Sequence, residues 1–383
     1  MEHIAALDAN VPAYLDFLKR IVRMETPSND KQALDEMVTE VIRFAESRGF
    51  ACERIPFERA GDCIRVTAPK QGVCKHPEKV FFMAHMDTVH PKRLFGKDVL
   101  TEEGDILHGP GVSDCKGGLV VGLLAAETLV NTGYNDRPIE LLFTTDEEVS
   151  GILGGEAGIN LIRDSARGAF VALNLETGME DGYTVGRKGI AVLNVTVRGK
   201  AGHAGNDYFA SASAIKEAAH QILAIEAMSA PDGCTFNCGV ISGGTTFNAV
   251  PAKCEFTVDI RGIRLNDLTE AVEKVRKLAE TVHVPGTSVE VSVHSTRPPM
   301  EHVEANDRLF EKINASGIAH GFHPMKPIIR GGGSDAAYTV EIGIPTVCSL
   351  GLVGDAVHSV RETGRISSLA ERAAVLTFAI REL

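Results

Sequence analysis

Residues 80–87 read Val-Phe-Phe-Met-Ala-His-Met-Asp. The apolar part is too short for a core-spanning helix and does not alternate, so it predicts a strand buried on both faces, as in a parallel sheet. His85 and Asp87 follow directly, and alternate side chains of an extended segment share one side. Ligands of open α/β sheets gather beyond the carboxyl ends of the strands. A lone His-x-Asp is far more often part of a surface loop at a strand end, so its neighbours must decide.

Working outward, residues 117–129 are rich in Leu, Ala and Val and predict a buried helix. Residues 139–145 (IELLFTT) and 170–175 predict two more buried strands. Strand–helix–strand order is the α/β pattern with a parallel sheet. Upstream, apolar residues at helical spacing are interrupted by Pro27, and a second helix is expected over 31–47. The character changes near Gly186. Segments 191–198 (AVLNVTVR), 254–260 and 289–293 alternate apolar and polar residues, with helical stretches at 211–228 and 268–282 between them. An apolar strand at 344–350 and a closing helix at 367–383 follow. The expected fold class is therefore an α/β domain with a mainly parallel mixed sheet flanked by helices, formed by residues 1–186 and 298–383. Residues 187–297 would be an inserted α+β domain with an antiparallel sheet and two helices.

Hydrophobic residues make up 44% of the chain, which excludes a disordered polymer and supplies a real core. Lys and Arg number 39 against 51 Asp and Glu, a net charge of −12, which argues against nucleic-acid or anionic-membrane partners. No apolar run approaches the ~18 residues of a membrane span, and MEHIAALDANVP has no basic leader character. The eight cysteines are scattered, and the Cys234/Cys238 pair has no second pair at zinc-finger spacing. They read as reduced thiols, and a cytoplasmic location is expected.

Three further segments carry chemistry. Residues 109–118 (GPGVSDCKGG) form a Gly-rich turn into the helix, but Lys116 does not stand where a phosphate loop needs it. Asp114 there is either a helix cap or a carboxylate presented into a cleft. Asp146-Glu147-Glu148 end the second strand, and Glu176 follows the third. Adjacent acids repel one another, and a cation offsets that cost. His358 follows a Gly-containing loop. Together the strand ends bring His, Asp, an acidic pair and Glu to one sheet edge. His with carboxylates suits zinc, and two ions ~3.5–4 Å apart need a shared carboxylate.

On these residues the chain resembles the aminoacylase/carboxypeptidase family of two-zinc metallopeptidases, which includes acetylornithine and succinyl-diaminopimelate deacylases. Its strongest likeness is to the bacterial glutamate carboxypeptidase branch. The motifs run in order along nearly the whole chain: HMDTV at 85–89, GPGVSDCKGG at 109–118, TTDEEVSG at 144–151, NLETG at 174–178, GKAGHAG at 199–205, FNAVP at 247–251 and GGGSDAAY at 331–338. The resemblance implies two Zn²⁺ per subunit, with Co²⁺ or Mn²⁺ as substitutes. It implies His85 and Glu176 on one ion, Glu148 and His358 on the other, and Asp114 bridging, with a cis peptide after Asp114. Asp87 would orient His85, and Glu147 would be the general base and acid. His203 would reach the partner subunit's site in a homodimer built through the inserted dimerisation or lid domain and stabilise the oxyanion. Asn248, Arg261, Gly332 and Gly333 would bind substrate, a small peptide or N-acyl amino acid. Cys115 stands where relatives often carry Asp or Met, and a packed side chain is expected; His90 and His108 match no ligand and read as loop residues.

The expected reaction is hydrolysis of an amide next to a free carboxylate, releasing a C-terminal amino acid. Its rivals are an N-acyl-amino-acid deacylase or dipeptidase using the same metals, and a metal-binding scaffold without catalysis.

Overall fold

Two helices, Glu2–Val22 and Lys31–Ser47, open the chain in the computed structural model, which describes residues 2–68 and 73–383. Asp30 caps the second helix by accepting the Ala33 amide at 3.0 Å, satisfying one of the donors that a helix start leaves over. The described residues divide into two units. The larger comprises Met1–Val185, His302–Ile329 and Ser334–Leu383, and the smaller comprises Gly186–Glu301 with Arg330–Gly333.

In the larger unit the strands β1 (Ala51–Ile55), β2 (Cys63–Thr67), β3 (Val80–His85), β4 (Ile139–Thr144) and β5 (Val171–Asn174) form one sheet. Its order is β1-β2-β4-β3-β5, completed by the short strand Thr346–Val347. Strands β3, β4, β5 and Thr346–Val347 are parallel, whereas β2 pairs antiparallel with both of its neighbours, β1 and β4. Every residue of β3 is buried, as its unbroken apolar run requires. Each fully buried Val or Phe contributes roughly 1.5–3 kcal/mol of transfer free energy. The helix Gly117–Asn131 packs so closely on this sheet that a Cβ at Gly118 would lie 1.7 Å from the Leu175 carbonyl oxygen. This contact sits directly beside Glu176.

The apolar segment 344–350 forms a much shorter strand than its composition predicts. Cys348 leaves the sheet to exchange two 2.9 Å backbone hydrogen bonds with Thr184, and Ser349 turns the chain with φ 63°. Strands β1 and β2, absent from the sequence reading, extend the sheet on its mixed edge.

The smaller unit has the strands β6 (Gly189–Arg198), β7 (Thr235–Gly243), β8 (Lys253–Gly262) and β9 (Ser288–Arg297) in the antiparallel order β7-β8-β6-β9. Leu193, Val195 and Val197 of β6 and Phe256, Val258 and Ile260 of β8 form one apolar face. Against it lie Ala214, Ala218 and Ile225 of the helix Ala214–Glu226, and Leu268, Ala271 and Val275 of the helix Leu265–Ala279. Among the described residues no helix is long and apolar enough to cross a membrane.

Candidate active site

The ends of β3, β4 and β5 converge with the turn before the helix Gly117–Asn131. His85, the last residue of β3, is 2% exposed. Its Nδ1 lies 3.0 Å from the Asp87 carbonyl oxygen and 3.3 Å from the Asp87 carboxylate. With acceptors at Nδ1, the ring proton belongs there and the lone pair falls on Nε2. Nε2 faces Asp114 Oδ1 at 3.2 Å and Glu176 Oε1 at 3.9 Å, which are also acceptors. A lone pair aimed at two carboxylates calls for a cation between them.

Asp114 is reached through Gly111, whose φ of 71° suits glycine, and the Asp114–Cys115 peptide is cis, as the resemblance implies. Its second oxygen, Oδ2, lies 3.3 Å from His358 Nε2, which is 3.2 Å from Glu148 Oε2. His358 holds φ 62°, a left-handed conformation uncommon outside glycine. The described residues thus give two groups able to hold a metal ion: His85, Asp114 and Glu176, and Asp114, Glu148 and His358. Within each, the ligand atoms lie within 4.8 Å of one another. Asp114 belongs to both. The donor set, imidazole nitrogens and carboxylate oxygens around a shared carboxylate, fits a pair of divalent ions.

The electrostatics carry the same strain of charge. Burial opposes ionisation of Asp114, but the neighbouring imidazoles of His358 and His85 outweigh it and hold its carboxyl well below the usual range. Burial disfavours the His85 imidazolium, yet the surrounding thiol and acids raise its pKa. Burial pushes Glu148 up to about 7 against the His358 contact, while hydrogen bonds to Asp114 and Glu148 raise His358 to about 10.

Asp87 has no exposure and does more than orient a ring. Its carboxylate accepts the Ser28 hydroxyl at 2.6 Å and the Glu147 and Glu148 amides at 3.2 and 3.1 Å. One side chain therefore fixes both a candidate ligand strand and the turn that carries the candidate base. Glu147 is 7% exposed and lies in neither ligand group. Cys115 is buried and its Sγ donates to the Leu175 carbonyl at 3.2 Å, the contact of a packed side chain, and burial pushes its thiol pKa up. Lys116 is buried too and donates to the Met24 carbonyl at 2.8 Å, away from any phosphate-loop geometry.

His90 lies in a loop, as expected, but is 4% exposed and bonded through Nε2 to Glu362 at 3.1 Å. Its bond to the buried Glu362 carboxyl group holds it inward. His108, also expected in a loop, ends the strand Ile106–His108, where Thr101 and Thr363 pair with it. Glu362 and Ser28 were not singled out by the sequence. An acid four residues past His358 was the only local signal, and Ser28 offered none.

The remaining expected residues lie in the smaller unit. A two-residue ladder pairs His203 with Ala249, which places the His203 turn beside exposed Asn248. The His203 Nδ1 accepts the Gly205 and Asn206 amides at 3.1 and 3.2 Å, leaving Nε2–H as an exposed donor. The Arg261 guanidinium binds Asp259 in a fork at 2.6 and 2.8 Å, the surface ion pair that its strand position suggests. The Gly332 and Gly333 carbonyls accept from Arg187 at 3.4 and 3.1 Å.

The chain is similar to known proteins. The chain is 30% identical over 354 residues to carboxypeptidase G2 of Pseudomonas sp. (strain RS-16), covering 91% of this chain and 83% of that protein. It is 29% identical over 296 residues to the acetylornithine deacetylase of Myxococcus xanthus, covering 71% and 72% of the two chains. The structure of aminopeptidase PepT from Bacillus cereus superposes with a TM-score of 0.77 at 23% identity, covering 97% of this chain and 98% of that one. The model of Peptidase family M20/M25/M40 matches residues 81–382. That stretch, from β3 to the closing helix, takes in every candidate ligand, and the chain belongs to the metal-dependent hydrolases of peptidase family M20/M25/M40.

Proposed function

We propose that the chain is a di-zinc carboxypeptidase that hydrolyses an amide next to a free carboxylate, glutamate carboxypeptidase-like, releasing a C-terminal amino acid. The observation that carries the reading is Asp114, one carboxylate facing His85 through Oδ1 and His358 through Oδ2. His85 and Glu176 would hold one ion, Glu148 and His358 the other, and Asp114 both. Zn²⁺ fits this donor set, and Co²⁺ or Mn²⁺ would substitute. When bound, such a pair polarises the scissile carbonyl and lowers the pKa of water.

The chain's own groups do the rest. Glu147 takes a proton from the attacking water as the new C–O bond forms. It returns that proton to the amine nitrogen as the C–N bond breaks. Asp87 holds the Glu147 amide, so the base stays where the turn puts it. His203 presents Nε2–H as the proposed oxyanion donor. Asp259 occupies the Nε/Nη2 edge of Arg261, leaving Nη1 for the substrate carboxylate, with Asn248 and the Gly332–Gly333 backbone as further binding groups. Similarity to carboxypeptidase G2 supports release of a C-terminal residue, and the deacetylase likeness keeps N-acyl amino acids in the test. Free cysteines support a reducing, cytoplasmic setting.

The test is a panel of pteroyl- and aryl-glutamates, dipeptides and acetyl-amino acids with zinc present. The glutamate amides are expected to give the highest kcat/KM; faster turnover of acetyl-amino acids would move the assignment to a deacylase. Glu147→Gln is expected to lose ~10²–10⁴ in kcat with unchanged metal content. Near-normal turnover by that variant, or indifference to chelation, overturns the mechanism.

A further inference from the structure

Glu362 is fully buried, at 0% exposure, yet belongs to neither group of candidate metal ligands. Its carboxylate is filled with donors. Oε1 accepts the Ser113 and Asp114 amides at 3.0 and 3.1 Å and the Ser113 hydroxyl at 3.3 Å. Oε2 accepts the Gly111 amide at 2.9 Å and faces His90 Nε2 at 3.1 Å. A buried carboxylate is costly unless so compensated. Apart from His90, every donor here comes from the single turn that ends in Asp114.

We propose that Glu362 is a positioning residue for the bridging carboxylate of Asp114. The side chain of Asp114 has two torsions, so its backbone decides where its oxygens point. Glu362 holds that backbone at Asp114 itself and at two positions before it. It also stands on the segment that carries His358, four residues on. One carboxylate thereby ties the turn of the shared ligand to the segment of a second ligand and sets the spacing between them. His90 completes the acceptor's shell, with its ring held edge-on by Phe95 at 5.0 Å. The inference rests on the two-metal reading above.

The test measures metal binding directly. Apo wild type, Glu362→Gln and His90→Phe are titrated with Zn²⁺ against a chromophoric chelator and with Co²⁺ while the d–d spectrum is read. Apo melting is followed in parallel. Gln keeps the size of Glu362 but turns an NH₂ group toward the turn's amides. Glu362→Gln is expected to bind at least one ion ~10–100-fold more weakly, the range seen when an outer partner of a ligand is lost. Its Co²⁺ spectrum at full loading should differ from wild type, a signature that a merely structural residue would not move. His90→Phe keeps the turn's amide bonds and should weaken binding in the same direction by less. Should Glu362→Gln fail to fold, His90→Phe decides alone, and wild-type affinity there overturns the proposal. Wild-type affinity and spectrum in folded Glu362→Gln overturn it whatever the activity, leaving the two-metal reading intact. A wild-type chain that binds no pair of ions overturns both.

Discussion

Asp87 shows how much of the site one side chain carries. Its two oxygens serve Ser28, the amides of Glu147 and Glu148, and the edge of His85. Asparagine would keep one acceptor and turn an NH₂ group toward donors, leaving at least one buried N–H or O–H unpaired at about 1–3 kcal/mol. Asp87→Asn is therefore expected to lower the unfolding free energy by that amount and kcat by ~10–100-fold. KM should barely change, since Asp87 makes no substrate contact in this scheme. Steady-state kinetics at verified metal content check it, and a variant with wild-type kcat would show that the residue only packs. The candidate ligands were legible because each follows a strand or a glycine turn and needs only its local setting to be noticed. Ser28, His90 and Glu362 were not, because their partners lie 59, 272 and 248 residues away, and only the fold joins them.

At the scale of elements, the sequence was clearest where burial is uniform or strictly alternating. β3 is buried throughout, and β6 alternates along most of its length, so each announces itself. β1 is largely exposed with mixed residues and has no such pattern, and Thr346–Val347 is cut short by the turn at Ser349 rather than by its composition. Two predictions belong here. Gly118→Ala would drive a Cβ to within 1.7 Å of the Leu175 carbonyl oxygen, backbone that cannot swing aside. Overpacking of this kind costs ~1–3 kcal/mol or more, and it should weaken metal binding too, because Glu176 follows Leu175; an unchanged urea midpoint would refute the contact. In the smaller unit, Glu217 on the helix Ala214–Glu226 accepts the His283 and Val284 amides, both at 2.7 Å. Burial opposes its charge, but Gln221 and those amides prevail and hold its pKa below the ordinary 4.5. A depressed carboxylate stabilises the fold fully above its unfolded pKa and loses that contribution as pH falls from there through its folded value. Wild type should therefore lose its advantage over Glu217→Gln as urea unfolding is followed from pH 7 to below 4.5. A stability gap independent of pH would contradict this account.

For the whole molecule, the open question is association. The smaller unit carries apolar side chains that a soluble monomer rarely leaves in water: Phe209 at 99% exposure, Phe247 at 98%, Leu223 at 73% and Val240 at 64%. Among the described residues its strand β7 is an edge, paired only with β8, so a row of backbone groups is open to a second chain. A homodimer through this unit is our reading, and a mass near twice 41.0 kDa in sedimentation, lost in Leu223→Lys/Val240→Lys, would support it. The dimer also offers a test of whether His203 acts on its own subunit or on the partner. Mix His203→Ala chains with Glu147→Gln chains, each nearly inactive alone. If His203 serves the partner's site, one site of each mixed dimer draws Glu147 from the first chain and His203 from the second, and is whole. The other site lacks both. Verified mixed dimers should then regain about half the wild-type activity. If His203 serves its own chain, every site in the mixture lacks one group or the other, and nothing is regained. Activity of purified mixed dimers separates the two arrangements, and its absence would confine His203 to its own subunit.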